Sequence, residues 1–222
     1  MGHTTRLIAA CALLGIGTAL HSLPSLAIDE VVFVNSDLKD RLSGRAYKSR
    51  DSSYRMRVPD LGPKVFVKDQ DITPGITSWT QFLSEELGAL YIVSTRIRDG
   101  LPKDDSILPR VASRYQRYLD GNPKGYTQQY TDGRYGKVFE FTLINARSGL
   151  GNYPLEITLQ PATSIQTFAS HRFFVTGGYL FEFALLIHTK GVALGLSTEE
   201  LTKRASAVLD EAINAFTPIS PQ

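Results

Sequence analysis

HRFFVTGGYLFEFALLI, from His171 to Ile187, is the stretch whose reading decides the fold. Gly177-Gly178 divides two runs rich in aromatic and branched apolar residues. Two residues without a Cβ both tolerate positive φ, as a type I′ hairpin turn requires. With that turn Thr176 faces Tyr179, Phe174 faces Phe181 and Arg172 faces Phe183. One face then carries Phe174, Thr176, Tyr179, Phe181, Phe183, Leu185 and Ile187. The other carries Phe173, Val175, Leu180, Ala184 and Leu186, interrupted by His171, Glu182 and His188. A hairpin with one wet face alternates apolar and polar residues. This one is apolar on both sides, so each side needs a cover. The ribbon is expected mid-way in an antiparallel sheet covered by helices, an α+β domain. The alternative is a β-sandwich, in which a second sheet covers one face.

The best cover is C-terminal. Ser197 and Glu200 have the spacing of a capping box, and Leu196 and Leu201 that of a hydrophobic staple. Leu201, Ala205, Val208, Leu209, Ala212, Ile213 and Phe216 follow as one apolar stripe, with Pro218 expected to end the helix. A second helix is expected over Asp104–Asp120, capped by Asp105, with Pro109 in its first turn. Strands are expected over Ile28–Val34, Lys64–Lys68, Ile76–Leu83, Ala89–Ile97, Lys137–Asn145 and Leu155–Leu159. A hairpin over Ala46–Val58 turns at Asp51-Ser52-Ser53. Tyr126 to Gly136 reads as polar residues and turn formers. Trp79, the only tryptophan, is expected half-buried.

Met1–Ala27 reads as an export signal: Arg6, an apolar run from Leu7 to Leu20, then a small-residue site before Ile28. That run is shorter than the roughly 20 residues a membrane span needs. Ile8-Ala9-Ala10-Cys11 has the look of a lipoprotein box, but little apolar core precedes the cysteine. Cleavage after Ala27 leaves residues 28–222 as one exported domain, periplasmic or secreted, without the only cysteine. Disulfides, thiol nucleophiles and thiolate metal sites then fall away. Removing Arg6 leaves 23 basic residues against 22 acidic. Such a balance gives no electrostatic case for nucleic acid.

No motif carries a reaction convincingly. Ser36-Asp37-Leu38-Lys39 fits S-x-x-K without the supporting elements of that enzyme class. Gly149-Leu150-Gly151 lacks the rest of a dinucleotide fingerprint. Asp69-Gln70-Asp71 and Asp104-Asp105 do not extend into a calcium loop. His171 and His188 are not cross-strand neighbours, and no metal or cofactor is implied. Glu140 and Glu182 each sit between two phenylalanines, and a carboxylate on a covered face must be paired or take up a proton. Sharing a cleft, they could serve a small periplasmic hydrolase; Arg172 or Lys137 could instead satisfy them separately. Two basic clusters remain. Arg55 and Arg57 lie in the first hairpin, and Arg110, Arg114 and Arg117 form a stripe on the first helix. Either suits an envelope protein or an anionic lipid surface.

Three features together resemble the PsbP-like family, the extrinsic photosystem II subunits and their bacterial relatives. They are the Tyr47…Tyr54-Arg55-Met56-Arg57-Val58-Pro59 hairpin, the Phe173…Gly177-Gly178-Tyr179 hairpin, and the closing helix ending at Ala215-Phe216. The resemblance implies an exported α/β/α sandwich on an antiparallel sheet, in a family of mostly non-enzymatic accessory or binding proteins. It transfers no binding residue. The expectation is a non-enzymatic binding or accessory protein of the bacterial cell envelope.

Overall fold

The computed structural model describes residues 30–33, 36–70, 72, 74–120, 126–146, 167–188 and 195–219. Gly177 and Gly178 take φ of 58° and 78°. The ribbon they turn pairs Thr176 with Tyr179, Phe174 with Phe181 and Arg172 with Phe183, the register that turn dictates.

In chain order the strands are β1 (Glu30–Phe33), β2 (Leu42–Ser43), β3 (Ala46–Lys48), β4 (Tyr54–Arg57), β5 (Lys64–Asp69), β6 (Ile76–Ser84) and β7 (Gly88–Arg96). After them come β8 (Tyr126–Gly133), β9 (Gly136–Ala146), β10 (Thr167–Thr176), β11 (Tyr179–His188) and β12 (Phe216–Pro218). Among the described residues the α-helices are α1 (Leu108–Asp120) and α2 (Thr198–Ala215). Eight strands form one sheet in the order β1-β5-β6-β7-β11-β10-β9-β8. Among the described strands of this sheet only the β1–β5 pair is parallel. The glycine-turned ribbon β10–β11 is therefore central.

Each face of the ribbon enters its own core. Phe174, Phe181, Phe183, Leu185 and Ile187 pack with Leu201, Ala205, Val208, Leu209 and Ala212 of α2. Phe173, Val175, Ala184 and Leu186 pack with Leu108, Val111, Tyr115 and Leu119 of α1. The chain is thus an α+β domain on a largely antiparallel sheet, but helices cover less of it than expected. Eight strands about 4.8 Å apart span roughly 35 Å, and a helix is about 10 Å across. On the α2 side a second sheet, β12-β4-β3-β2, supplies the missing cover. Its Tyr47, Tyr54, Met56 and Phe216 join the same core as α2. Helix and second sheet, read as alternatives in the sequence, share one face.

Polar bonds fasten that second sheet. The Tyr47 hydroxyl donates to Asp69 Oδ1 at 2.8 Å and lies 2.7 Å from Thr80 Oγ1. Tyr54 donates to Thr80 at 3.1 Å, and Arg41 pairs with Asp69. Asp69 serves this junction. At the β3–β4 turn Asp51 accepts a bond from Ser94 of β7 at 2.9 Å. Burial alone would raise the Asp51 carboxyl, but hydrogen bonds from Thr77, Ser53 and Ser49 outweigh it and hold it low.

The capping box at Ser197 and Glu200 is present with both reciprocal bonds. Several boundaries differ from expectation. Asp104, not Asp105, caps the α1 side, accepting from Ser106 N ahead of a short 3-10 turn. Phe216 leaves α2 and starts β12, pairing with Met56. Trp79 is buried rather than half-buried. Tyr126–Gly133, read as turn formers, is a strand at the sheet margin whose side chains are mostly wet. The expected strand over Leu155–Leu159, the export signal and the Gly149–Gly151 stretch lie outside the described residues. No helix among the described residues is long and apolar enough to cross a membrane.

Phe181 touches Tyr54, Phe174, Tyr179 and Phe216 with ring centroids 4.8–6.0 Å apart, tying ribbon, second sheet and α2 exit together. Phe181→Ala is expected to cost about 3–5 kcal/mol, read as a lower urea midpoint with the slope unchanged. A loss below 1 kcal/mol would contradict this packing.

Candidate functional site

Polar residues intrude on each face of the ribbon, and the sheet separates them. On the α2 face Arg172 bonds Glu140 Oε2 through Nε at 3.0 Å, Ser206 Oγ through Nη2 at 2.8 Å, and Asp210 through Nη1. Gln129 also donates to Glu140. Glu140, Arg172, Ser206 and Asp210 line a cleft of about 340 Å³ with Arg134 and Tyr135. Arg134 and Tyr135 are themselves engaged, donating to the backbone carbonyls of Asn214 and Phe216. The cluster pins α2 to the sheet.

On the α1 face Glu182 is sealed in. Its Oε1 lies 2.8 Å from His171 Nδ1, and its Oε2 accepts from the Tyr115 hydroxyl at 3.2 Å. His171 is 0% exposed and Glu182 6%. The imidazole stacks on Phe141 at 4.4 Å, and its Nε2 is buried without a hydrogen-bond partner. Burial drives the Glu182 carboxyl upward. Bonds and charge from His171, the Tyr115 bond and the Arg114 charge pull it back only part-way.

Glu140 and Glu182 therefore point to opposite sides of the sheet. They cannot act as a carboxylate pair, and the hydrolase built on them is overturned. The reason is register. Glu140 pairs with Arg172 and Glu182 with Phe173, so the two acids fall on alternate pleats. Their separate partners are Arg172, as expected for Glu140, and the buried His171–Tyr115 pair for Glu182.

The two basic clusters also separate. Arg55 and Arg57 are exposed on β4, in the second sheet that covers the α2 face. Arg110 and Arg114 are exposed on α1, across the large sheet. No common patch includes both clusters. The side chain of Arg117 lies outside the described residues. What the structure adds to Arg110 and Arg114 is a second pair, Arg96 and Arg98, where β7 runs out beside α1. All four line one open cleft of about 350 Å³, floored by Ile76, Ile97, Ile107, Val111, Leu101 and Leu180. No carboxylate is among its described lining residues. The nearby acids have hydrogen-bond partners of their own, Asp99 with Lys103 at 2.9 Å and Glu182 in its buried triad, while the charge of Arg96 acts on Asp99 and that of Arg114 on Glu182. The sequence held a signal for the added pair. Thr95-Arg96-Ile97-Arg98 alternates charge with apolarity and then breaks at Asp99-Gly100.

No family model matches this chain, and no curated protein matches its sequence. Among solved structures, a crystal structure from Bacteroides thetaiotaomicron VPI-5482 superposes with a TM-score of 0.45 at 9% identity. The match covers 81% of this chain and 50% of that one, so this chain spans half the length of that protein. The Saccharomyces cerevisiae Ran-binding protein Mog1p and a mutant form of Mog1 each give 0.44 at 10% identity. Each of these matches covers 81% of this chain and 97% of the other. At these scores neither partner nor activity passes to this chain.

The buried triad has a pH signature. A carboxyl that holds its proton more tightly folded than unfolded favours the fold below its ordinary value of 4.5. That contribution is lost as pH rises through the raised folded value. The stability of the wild type relative to Glu182→Gln should therefore fall between pH 4.5 and neutrality, measured as urea midpoints across that range. A pH-independent difference would contradict the raised carboxyl.

Proposed function

We propose that this chain is an exported, non-enzymatic binding or accessory protein of the bacterial cell envelope. It meets an anionic partner, an envelope protein or a lipid surface, at the arginine-rimmed cleft beside α1. One observation carries the reading: Arg96, Arg98, Arg110 and Arg114 converge on a single apolar-floored cleft whose described lining residues include no acid. Guanidinium groups keep their charge at any physiological pH, and their planar forks match carboxylate and phosphate oxygens. Guanidinium groups on both walls of one apolar-floored cleft make its rim positive, which suits an anion from outside.

Export rests on the Met1–Ala27 pattern. The PsbP-like α/β/α arrangement supports an accessory role: a largely antiparallel sheet with α1 on one face and α2 on the other. The two carboxylate clusters support it too, because both are committed to holding the fold. Glu140 and Asp210 anchor Arg172, and Glu182 is closed off beneath Tyr115.

Reversing the charge of Arg96 and Arg110 together tests this function. Both are exposed, so Arg96→Glu with Arg110→Glu should leave the circular dichroism spectrum and melting temperature near wild type. Co-sedimentation with anionic vesicles and crosslinked capture from envelope extracts should both drop about ten-fold or more, and wild-type binding should weaken with salt. Unchanged binding in both assays would remove the cleft as the contact surface.

A further inference from the structure

Resting on that reading of the cleft, we propose that it is proton-gated: an anion binds there more tightly when buried Glu182 carries a proton. The acid lies next to the cleft's floor. Leu180 of β11 and Val111 of α1 both line the cleft. Glu182 is the next residue after Leu180 on the same face of β11, about 7 Å along the strand. Tyr115 is one turn of α1 beyond Val111, and its hydroxyl donates to Glu182 Oε2 at 3.2 Å. Arg114, beside Tyr115, lines the cleft while its charge acts on Glu182. One guanidinium thus serves two anionic positions, one in the core and one in the cleft.

Competition follows from that arrangement. A carboxylate on Glu182 draws on the Arg114 charge, and an anion entering the cleft needs the same charge. Glu182 and Tyr115 are both buried, so little water screens the two positions from each other. By reciprocity, an anion in the cleft favours the proton on Glu182 by the same factor that the proton favours the anion.

The triad can take up that proton without losing a bond. Protonated at Oε2, Glu182 donates to the Tyr115 oxygen, while Oε1 accepts from His171 in its Nδ1–H tautomer. A proton placed on His171 Nε2 would find no acceptor, because that atom is buried without a partner. The groups facing Glu182 are His171 from β10, Arg114 and Tyr115 from α1, and Tyr91 diagonally across on β7. Burial pushes Tyr91 to about 12, so it stays neutral. Asp99 is a second acid whose charge meets a cleft arginine, Arg96, and its bond with Lys103 holds its carboxyl low. Asp99 is therefore ionised from pH 5 upward, whereas burial moves Glu182 into the range where it responds.

Co-sedimentation with vesicles of phosphatidylcholine and phosphatidylglycerol, whose phosphodiester keeps its charge throughout, tests the coupling between pH 5 and pH 8. Wild-type affinity should rise about five-fold or more as pH falls across that range. Glu182→Gln, neutral at every pH, should bind at pH 8 as wild type binds at pH 5, and should lose most of the pH dependence. Tyr115→Phe removes a bond that favours the carboxylate, so its response should move to higher pH. That variant keeps the coupling measurable if Glu182→Gln does not fold. Arg96→Glu with Arg110→Glu is the control for the cleft itself. Arginine-dependent binding with no pH response, or the same response in wild type and Glu182→Gln, would overturn the gating and leave the anionic contact standing. A Tyr115→Phe response at the wild-type pH would overturn it too. Binding that is absent, or indifferent to the arginine changes, at both pH values would end both.

Discussion

The structure depends on one constraint: the β10–β11 ribbon is apolar on both sides and must be kept from water on both. A strand pair with that composition is stable only inside a sheet that is itself covered twice. Most of the chain serves that end. β7 and β9 flank the ribbon, α1 lies over one face, and α2 with the second sheet lies over the other. The two-residue glycine turn makes the constraint strict. It fixes which residues face which core, and a slip of one position would move every phenylalanine to the wrong side.

Polar residues inside such a ribbon have to be answered locally, and the two faces answer differently. Arg172 reaches past the edge of the α2 core and ties Glu140 of the sheet to Ser206 and Asp210 of the helix. Removing one member would leave charged partners half-buried, which is why such clusters hold elements in place even when their net energy is small. Glu182 is almost wholly withdrawn from solvent, so its answer is a histidine and a tyrosine hydroxyl within the α1 core. These two arrangements give both acids that drew attention in the sequence a structural employment.

Legibility followed the range of the interaction that decides each element. The ribbon's register, its two faces and the α2 capping box are local, set by Gly177-Gly178 and by Ser197 with Glu200, and all were readable. β8 was not, because a wet marginal strand has no alternation to show and exists through its ladder with β9. Phe216 continued the apolar stripe of α2, yet it pairs with Met56, about 160 residues earlier in the chain; a helical period cannot announce such a partner. The second sheet was half visible as the Ala46–Val58 hairpin, but its docking rests on Tyr47, Asp69 and Thr80 meeting from three strands. The arginine cleft was legible in the same partial way. Arg110 and Arg114 showed as a helical stripe; Arg96 and Arg98 joined them only because β7 ends beside that helix.

The position of the cleft explains how a nearly neutral chain can hold a concentrated positive site. The formal charge is only +2 over 222 residues, and a patch of four arginines would be unremarkable if acids were interspersed. None is among the cleft's described lining residues. Asp104 caps the turn before the helix by binding Ser106, and Asp105 accepts from the Lys137 backbone. Asp99 is bonded to Lys103, and Glu182 is shut beneath Tyr115. Each of these carboxylates is drawn into a bond of its own, although the charge of Arg96 still reaches Asp99 and that of Arg114 reaches Glu182. Segregation of charge by the fold, rather than net charge, thus sets the local field. Such a field acts over about a Debye length, roughly 10 Å in 0.1 M salt, which is the scale of the cleft itself.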